Sequence, residues 1–239
     1  MNCRKTLLGA VAAAALIGVS FSAQALTLTI DNLATPGADL VFVDGAAPDG
    51  AEDGRVEIDN DQYQAAVPGA LFQNVEARGE GEPIFTFDPS TDGLSLNASA
   101  TSGAGQIVFT LEDTLVSSFN GQADVMAAHS FTNTDSTTTV DSFIIIDGTE
   151  FPILSNLFQP TNGSDGGTIR VDLQQGQEYT LRSIIRFDNN GAFSESDGDA
   201  LIIVQAAAVP LPGTIGLMGA SLIGLGLLGR KRRRPLMRA

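Results

Sequence analysis

An all-β, antiparallel β-sandwich or jelly-roll-like ectodomain is the fold the sequence predicts for residues 26–208, and three observations carry it. Short runs with an apolar residue at every second position recur along this region, and clusters of Gly, Asn and Asp separate them. No stretch of it sustains an apolar period of 3.6 residues, so helices do not build the core.

The elements follow in order. Residues 26–30 (LTLTI), 55–59 (RVEID), 84–87 (IFTF, in part), 93–97 (GLSLN) and 168–173 (TIRVDL) alternate apolar with polar positions, so each presents one apolar face. Denser runs at 40–43 (LVFV), 106–111 (QIVFTL), 143–146 (FIII) and 201–204 (LIIV) read as central strands covered on both sides. Asp92-Gly93, Asn120-Gly121, Asp147-Gly148, Asn162-Gly163 and Asn190-Gly191 suit tight hairpin turns, because Gly and Asn accept positive φ. This spacing predicts about ten to twelve strands. Residues 111–131 leave room for a short helix. No repeat of fixed period marks a solenoid or propeller.

Charge divides the chain into three parts. It has 239 residues, 13 Lys+Arg, 28 Asp+Glu and a formal charge of −15. Eight of the basic residues lie at the two ends, whereas all acidic residues lie between Asp31 and Asp199. The middle therefore carries five Arg and no Lys against 28 acids, a net −23, which argues against nucleic acid as a partner. One Cys excludes an intrachain disulfide and a Cys-based zinc site, and one His leaves little room for zinc enzymes.

Residues 1–25 have the three parts of a secretory signal peptide. Arg4 and Lys5 precede an apolar run at 7–19 (LLGAVAAAALIGV), and Ala23-Gln24-Ala25 is a small-x-small site with cleavage expected after Ala25. The run is short for a bilayer, which needs roughly 20 residues. Cys3 lies ahead of it, so cleavage leaves a chain without thiols.

Residues 209–229 carry no charge, and Arg230, Lys231, Arg232, Arg233 and Arg234 follow at once. A helix over 213–229 would span roughly 25 Å at about 1.5 Å per residue, close to the thickness of a bilayer core. The basic stop predicts a cytoplasmic C-terminus and an acidic domain on the other side of the membrane. Gly216, Ala220 and Gly224 fall at every fourth position, the spacing of close helix contacts, although small residues are common in such segments.

The motif Val209, Pro210, Leu211, Pro212, the Gly/Leu-rich apolar stretch and the terminal Arg cluster together resemble the C-terminal sorting signal of the PEP-CTERM family. Leu211 stands where the name-giving tripeptide has Glu. The resemblance covers residues 209–234 and implies recognition by exosortase, a membrane-embedded enzyme of Gram-negative bacteria that removes the tail. It further implies passage through the inner membrane and a mature domain that is periplasmic, on the cell surface or extracellular. Many members occur in organisms that make exopolysaccharide, which makes such a polymer a possible partner. A permanent C-terminal anchor is the plain alternative.

Three chemistries compete for the acidic domain. Calcium takes 6 to 8 oxygen ligands from flexible loops, and two segments are crowded with carboxylates. One runs from Asp44 to Asp61, and the other holds Asp188, Glu195, Asp197 and Asp199, the calcium candidates; solvated acidic turns are the plain reading of both. A carbohydrate-binding face usually offers aromatic platforms, yet there is no Trp and only Tyr63 and Tyr179 besides Phe. Enzymatic motifs are missing: His129 sits between apolar residues as a packed or edge residue, and Ser130 beside it faces the opposite way on a strand. No catalytic residue and no cofactor are assigned. The expectation is a non-enzymatic cell-envelope or extracellular-matrix component, with a calcium-dependent adhesive or carbohydrate-binding module as the alternative and a hydrolase behind both.

Overall fold

The computed structural model describes residues 24–32, 39–46, 54–67, 72–81, 92–158 and 162–207. These form β1 (Gln24–Asn32), β2 (Leu40–Val43), β3 (Arg55–Ile58), α1 (Asn60–Ala66), β4 (Gln73–Glu80), β5 (Asp92–Val116), β6 (Gly121–Thr134), β7 (Ser136–Ile146), β8 (Thr149–Phe158), β9 (Gly163–Leu173) and β10 (Glu178–Ala206). Every pairing is antiparallel.

Two strands set the architecture. β5 and β10 have 25 and 29 residues, far beyond the usual length of about 5–6. Each is long because it serves twice. The later half of β5 and the earlier half of β10 lie at the centre of a first layer ordered β2-β1-β5-β10-β7-β8. The earlier half of β5 and the later half of β10 lie at the centre of a second layer ordered β3-β4-β5-β10-β6-β9. The hydrogen-bonded network thus folds over on itself into two layers.

The fold-over is written in the alternation of burial. Odd-numbered residues of β10 from Tyr179 to Asn189 are buried, and even-numbered ones from Ser194 to Val204. β5 switches the same way between Ala100 and Ile107, and the passage from β6 to β7 does so between Asn133 and Ser136. A one-residue slip sends every later side chain to the other face, so each crossing needs an irregularity. β10 has a register shift between Gly191 and Glu195, β5 has Gly105 at φ +133°, and Asp135 stands between β6 and β7 at φ +51°.

Buried hydroxyls and amides tie part of this crossing together. Ser194 Oγ donates to the Asp135 carbonyl at 2.8 Å, and Ser136 Oγ donates to the Glu195 carbonyl at 3.1 Å. Ser196 Oγ lies 2.7 Å from Ser136 Oγ and 3.0 Å from Asn189 Oδ1. Polar side chains are needed here because bent strands leave backbone groups without ladder partners.

Between the layers lies the core. Leu28, Ile30, Phe109, Leu181 and Phe187 come from the first layer, and Leu94, Leu96, Val125, Ile202 and Val204 from the second, all at most 1% exposed. Burying one such side chain contributes roughly 1.5–3 kcal/mol. Phe109 and Phe187 meet edge to face, with centroids 5.6 Å apart. At one flank the layers approach closely: a Cβ on Gly167 of β9 would lie 2.9 Å from the Ile153 carbonyl oxygen of β8.

The antiparallel two-layer fold agrees with the sequence reading, with several corrections. The run at 40–43 is the edge strand β2, with Val41 57% exposed, instead of a central strand. The other dense runs lie in strands with one face on the core and one outside, so their outward residues are covered only in part. Residues 111–131 hold strands with a turn between them instead of a helix. The helix is α1, started by a capping box in which the Asp59 side chain and the Gln62 amide meet, with Tyr63 buried. Asp92-Gly93 and Asn190-Gly191 lie within strands, and Asn162-Gly163 opens β9, whereas Asp147-Gly148 is the hairpin turn between β7 and β8. Residues 84–87 lie outside the described residues, as do the apolar run of the leader, the motif at 209–212, the segment at 213–229 and the basic stop at 230–234. Among the described residues no helix is long and apolar enough to cross a membrane.

Candidate functional site

The outer face of the second layer carries a shallow trough. It forms because the outward positions of β6 and β9 are small: Ala128 and Ser130 on one strand stand opposite Gly166 and Ser164 on the other. Across β10, Leu201 lies level with Ala128 and with Ser95 of β5, and Asp199 lies level with Ser130 and with Asn97. The depression measures about 630 Å³. A second hollow of about 300 Å³ shares Ala128, Gly166 and Leu201 with it and adds Met126, Thr168 and Ile203. Small-ligand sites span roughly 300–1,000 Å³, so the two together give a groove of useful size with an aliphatic floor at one end.

Carboxylates mark the other end. Glu195, Asp197 and Asp199 alternate along β10 and so share its outer face. Asp199 is held from both sides: Asn97 Nδ2 donates to its Oδ1 at 2.5 Å and Ser130 Oγ to its Oδ2 at 3.0 Å. Desolvation, with Asp199 and Glu195 alongside, pushes the Asp197 carboxyl above the ordinary range. Beyond the groove, in a separate hollow on β4, the guanidinium of Arg78, level with Asn97, is committed to Glu80.

Under the wall of the trough a chain of polar groups crosses between the layers. His129 is 1% exposed, with Nε2 2.8 Å from Ser142 Oγ of β7 and Nδ1 2.9 Å from Asn156 Oδ1 of β8. Asn156 Nδ2 donates in turn to Asp165 Oδ2 at 2.7 Å. A carboxylate only accepts, which fixes the orientation of the Asn156 amide and so makes its oxygen the acceptor for His129 Nδ1–H. Nε2 then accepts the Ser142 hydroxyl. Burial lowers the His129 pKa, against the raising effect of Asn156 and the nearby Asp141 and Asp165. The Gly166 amide and Asn156 hold the Asp165 carboxyl below its ordinary range. His129 lies against the trough, but Ser142 is fully buried and both ring nitrogens are engaged, so this serine and histidine form a bridge within the protein.

The sequence-selected residues separate into groups. Glu195, Asp197 and Asp199 come together on the trough, whereas Asp188 faces out of the first layer, where Gln106 Nε2 donates to it at 3.1 Å. Four ligands for one ion are therefore not assembled from that segment, and among the described residues no group of three or more His, Cys, Asp or Glu is placed to hold a metal. In the other acidic segment Asp44 accepts the Gly54 amide at 2.9 Å and Asp59 caps α1. Ala25 is the second residue of β1. His129 is packed, as its apolar flanks suggest, and Ser130 does face the other way. Sequence reasoning missed Ser95, Ala128, Ser164 and Gly166. The run of small residues at alternate positions of β6 and β9 was a usable signal, but the pairing that joins it to Asp199 spans 69 residues.

No family model matches the chain, and no curated protein does. Among solved structures it is similar to a carbohydrate-binding module of type CBM61 in complex with beta-1,4-galactotriose, at 10% identity over 53% of this chain and 86% of that one, TM-score 0.31. A CBM22-1 xylan-binding domain from Paenibacillus barcinonensis matches at 10% identity over 65% and 88%, TM-score 0.27. A beta-glucosidase from Kluyveromyces marxianus matches at 11% identity over 83% of this chain and 19% of that one, TM-score 0.34. At these scores the likenesses identify neither a family nor a ligand.

Proposed function

We propose that the protein is an exported, non-enzymatic component of the cell envelope or extracellular matrix whose trough holds a polysaccharide chain. The trough is the observation that carries this reading: an open groove across four strands, with an aliphatic floor at Leu201, Ile203 and Met126 and hydrogen-bonding groups at Ser95, Ser130 and Asp199. A sugar chain needs both, since its rings have apolar faces and its edges are hydroxyls. The engagement of both His129 ring nitrogens with Ser142 and Asn156 supports the non-enzymatic part, because it commits the imidazole to partners within the protein. The signal peptide and the PEP-CTERM-like tail support export through the inner membrane with a cytoplasmic C-terminus, followed by processing with an exosortase-like enzyme.

The test uses the full chain in nonionic detergent, assayed by calorimetry against neutral, acidic and amino-bearing oligosaccharides. Binding to at least one class, abolished by Ala128→Arg, is the expected result. Ala128 is exposed, so the substitution fills the groove without touching the core. Failure of every class, or binding that survives Ala128→Arg, would refute the reading. Mass spectrometry of the protein from its native host tests sorting: the expected mature chain begins at Leu26 and ends near Pro212, and an end at Ala239 would refute processing.

A further inference from the structure

The polysaccharide reading leaves the chemical class of the polymer open, and the groove's own donors and acceptors narrow it. Its floor is aliphatic, at Met126, Leu201 and Ile203, and its charged lining residues are Asp165 and Asp199, with Asp197 and Glu195 continuing along β10. The cationic residue level with Asp199 is Arg78, whose backbone lies two strands away, roughly 10 Å. It is already paired with Glu80.

The two side-chain donors that flank Asp199 are engaged in the same way. The Asn97 amide and the Ser130 hydroxyl both point at Asp199, which fixes that carboxylate and leaves it open to further donors from outside. A carboxylate offers about four acceptor positions, and an ammonium group brings three donors and no acceptor. A uronic acid polymer would meet like charge at this rim, which electrostatic complementarity penalises.

From this arrangement we infer that the trough selects a polysaccharide bearing protonated amino groups, a polymer of de-N-acetylated hexosamine, with sugar faces on the aliphatic floor and ammonium groups on the carboxylates of β10. The inference rests on the polysaccharide reading above. Asp199 anchors one ammonium group, and Asp197, whose ionised form suffers from two anionic neighbours, gains most from a second.

The experiment compares a glucosamine hexamer with its N-acetylated counterpart on the full chain in nonionic detergent, at a slightly acidic pH where the amines carry their protons. The glucosamine hexamer is expected to bind about ten-fold tighter, with the advantage shrinking as salt rises. Asp197→Asn, which removes charge at nearly constant shape, is expected to shrink the glucosamine hexamer's advantage, and the double variant with Asp199→Asn to erase it. Unchanged circular dichroism and a melting temperature no lower than that of the wild type show that the effect of the single variant is local. Equal affinity for the two hexamers overturns the inference and leaves polysaccharide binding standing. A lysine hexamer that competes as well as the glucosamine hexamer overturns it too, because the site would then read charge without sugar. If neutral, acidic and amino-bearing sugars all fail to bind, the underlying reading falls along with it.

Discussion

Acidification should loosen this protein through His129, and the sign follows from where the imidazole sits. Its neutral form is held between Ser142 and Asn156 at 1% exposure, so its folded-state pKa lies below the ordinary imidazole value of about 6.5. The unfolded chain therefore takes up a proton that the folded chain refuses, and stability rises with pH across that window. The contribution is complete above about pH 6.5 and is lost as pH falls toward the folded pKa. For one proton the slope approaches about 1.4 kcal/mol per pH unit, so the step from about pH 6.5 to about pH 5.5 removes at most about 1 kcal/mol. Asp141 and Asp165, whose negative charges act on the ring from β7 and β9, reduce the loss because they favour the imidazolium. Asp197 works in the opposite direction, gaining stability as pH falls through its raised pKa, but its window opens from the carboxylate range. Urea denaturation of the full chain at a series of pH values measures the slope, and His129→Gln, which retains an amide in place of the ring but cannot titrate, should flatten it. A wild-type slope equal to that of His129→Gln, or stability that increases on acidification in this interval, would refute the argument.

Two further outcomes follow from the way the layers meet. Gly167→Ala should lower stability by about 1–3 kcal/mol, read as a fall in Tm, because its new methyl group meets the Ile153 backbone and forces β8 and β9 apart. Ser196→Ala should cost about 1–3 kcal/mol by removing a hydroxyl that is fully buried between Ser136 and Asn189, whereas Ser130→Ala, at a half-buried position on the outer face, should change stability by less than about 0.5 kcal/mol.

The strands themselves were legible because one face of each meets the core. The alternation at 26–30, 55–59 and 168–173 belongs to β1, β3 and β9 much as it reads. What the local pattern could not carry is position within a sheet. The run at 40–43 is as apolar as that at 201–204, yet one is an edge and the other lies in the central strand of both layers, a distinction made by partners far away in sequence. Asn190-Gly191 has the chemistry of a hairpin turn and is used for a bend within a strand, since β5 offers a matching irregularity alongside. The acidic segment after Asp188 looked like one loop for the same reason. Once the bend divides it, Asp188 faces out of one layer and Glu195, Asp197 and Asp199 out of the other.

One of the two strands central to both layers, β10, is also the last of the described strands to leave the ribosome. Until residues 178–206 emerge, β6 and β7 lack their common partner and nothing joins them to β5, so each layer stays in two halves. Pairings as distant as Asp92 with Val204 impose a long loop closure before any reward arrives, which delays folding until synthesis of the domain is nearly complete. A chain threaded through a membrane N-terminus first would thus remain extended for nearly its whole length and collapse only on the far side, once Ala206 had passed and residues 209–229 were entering the channel behind it.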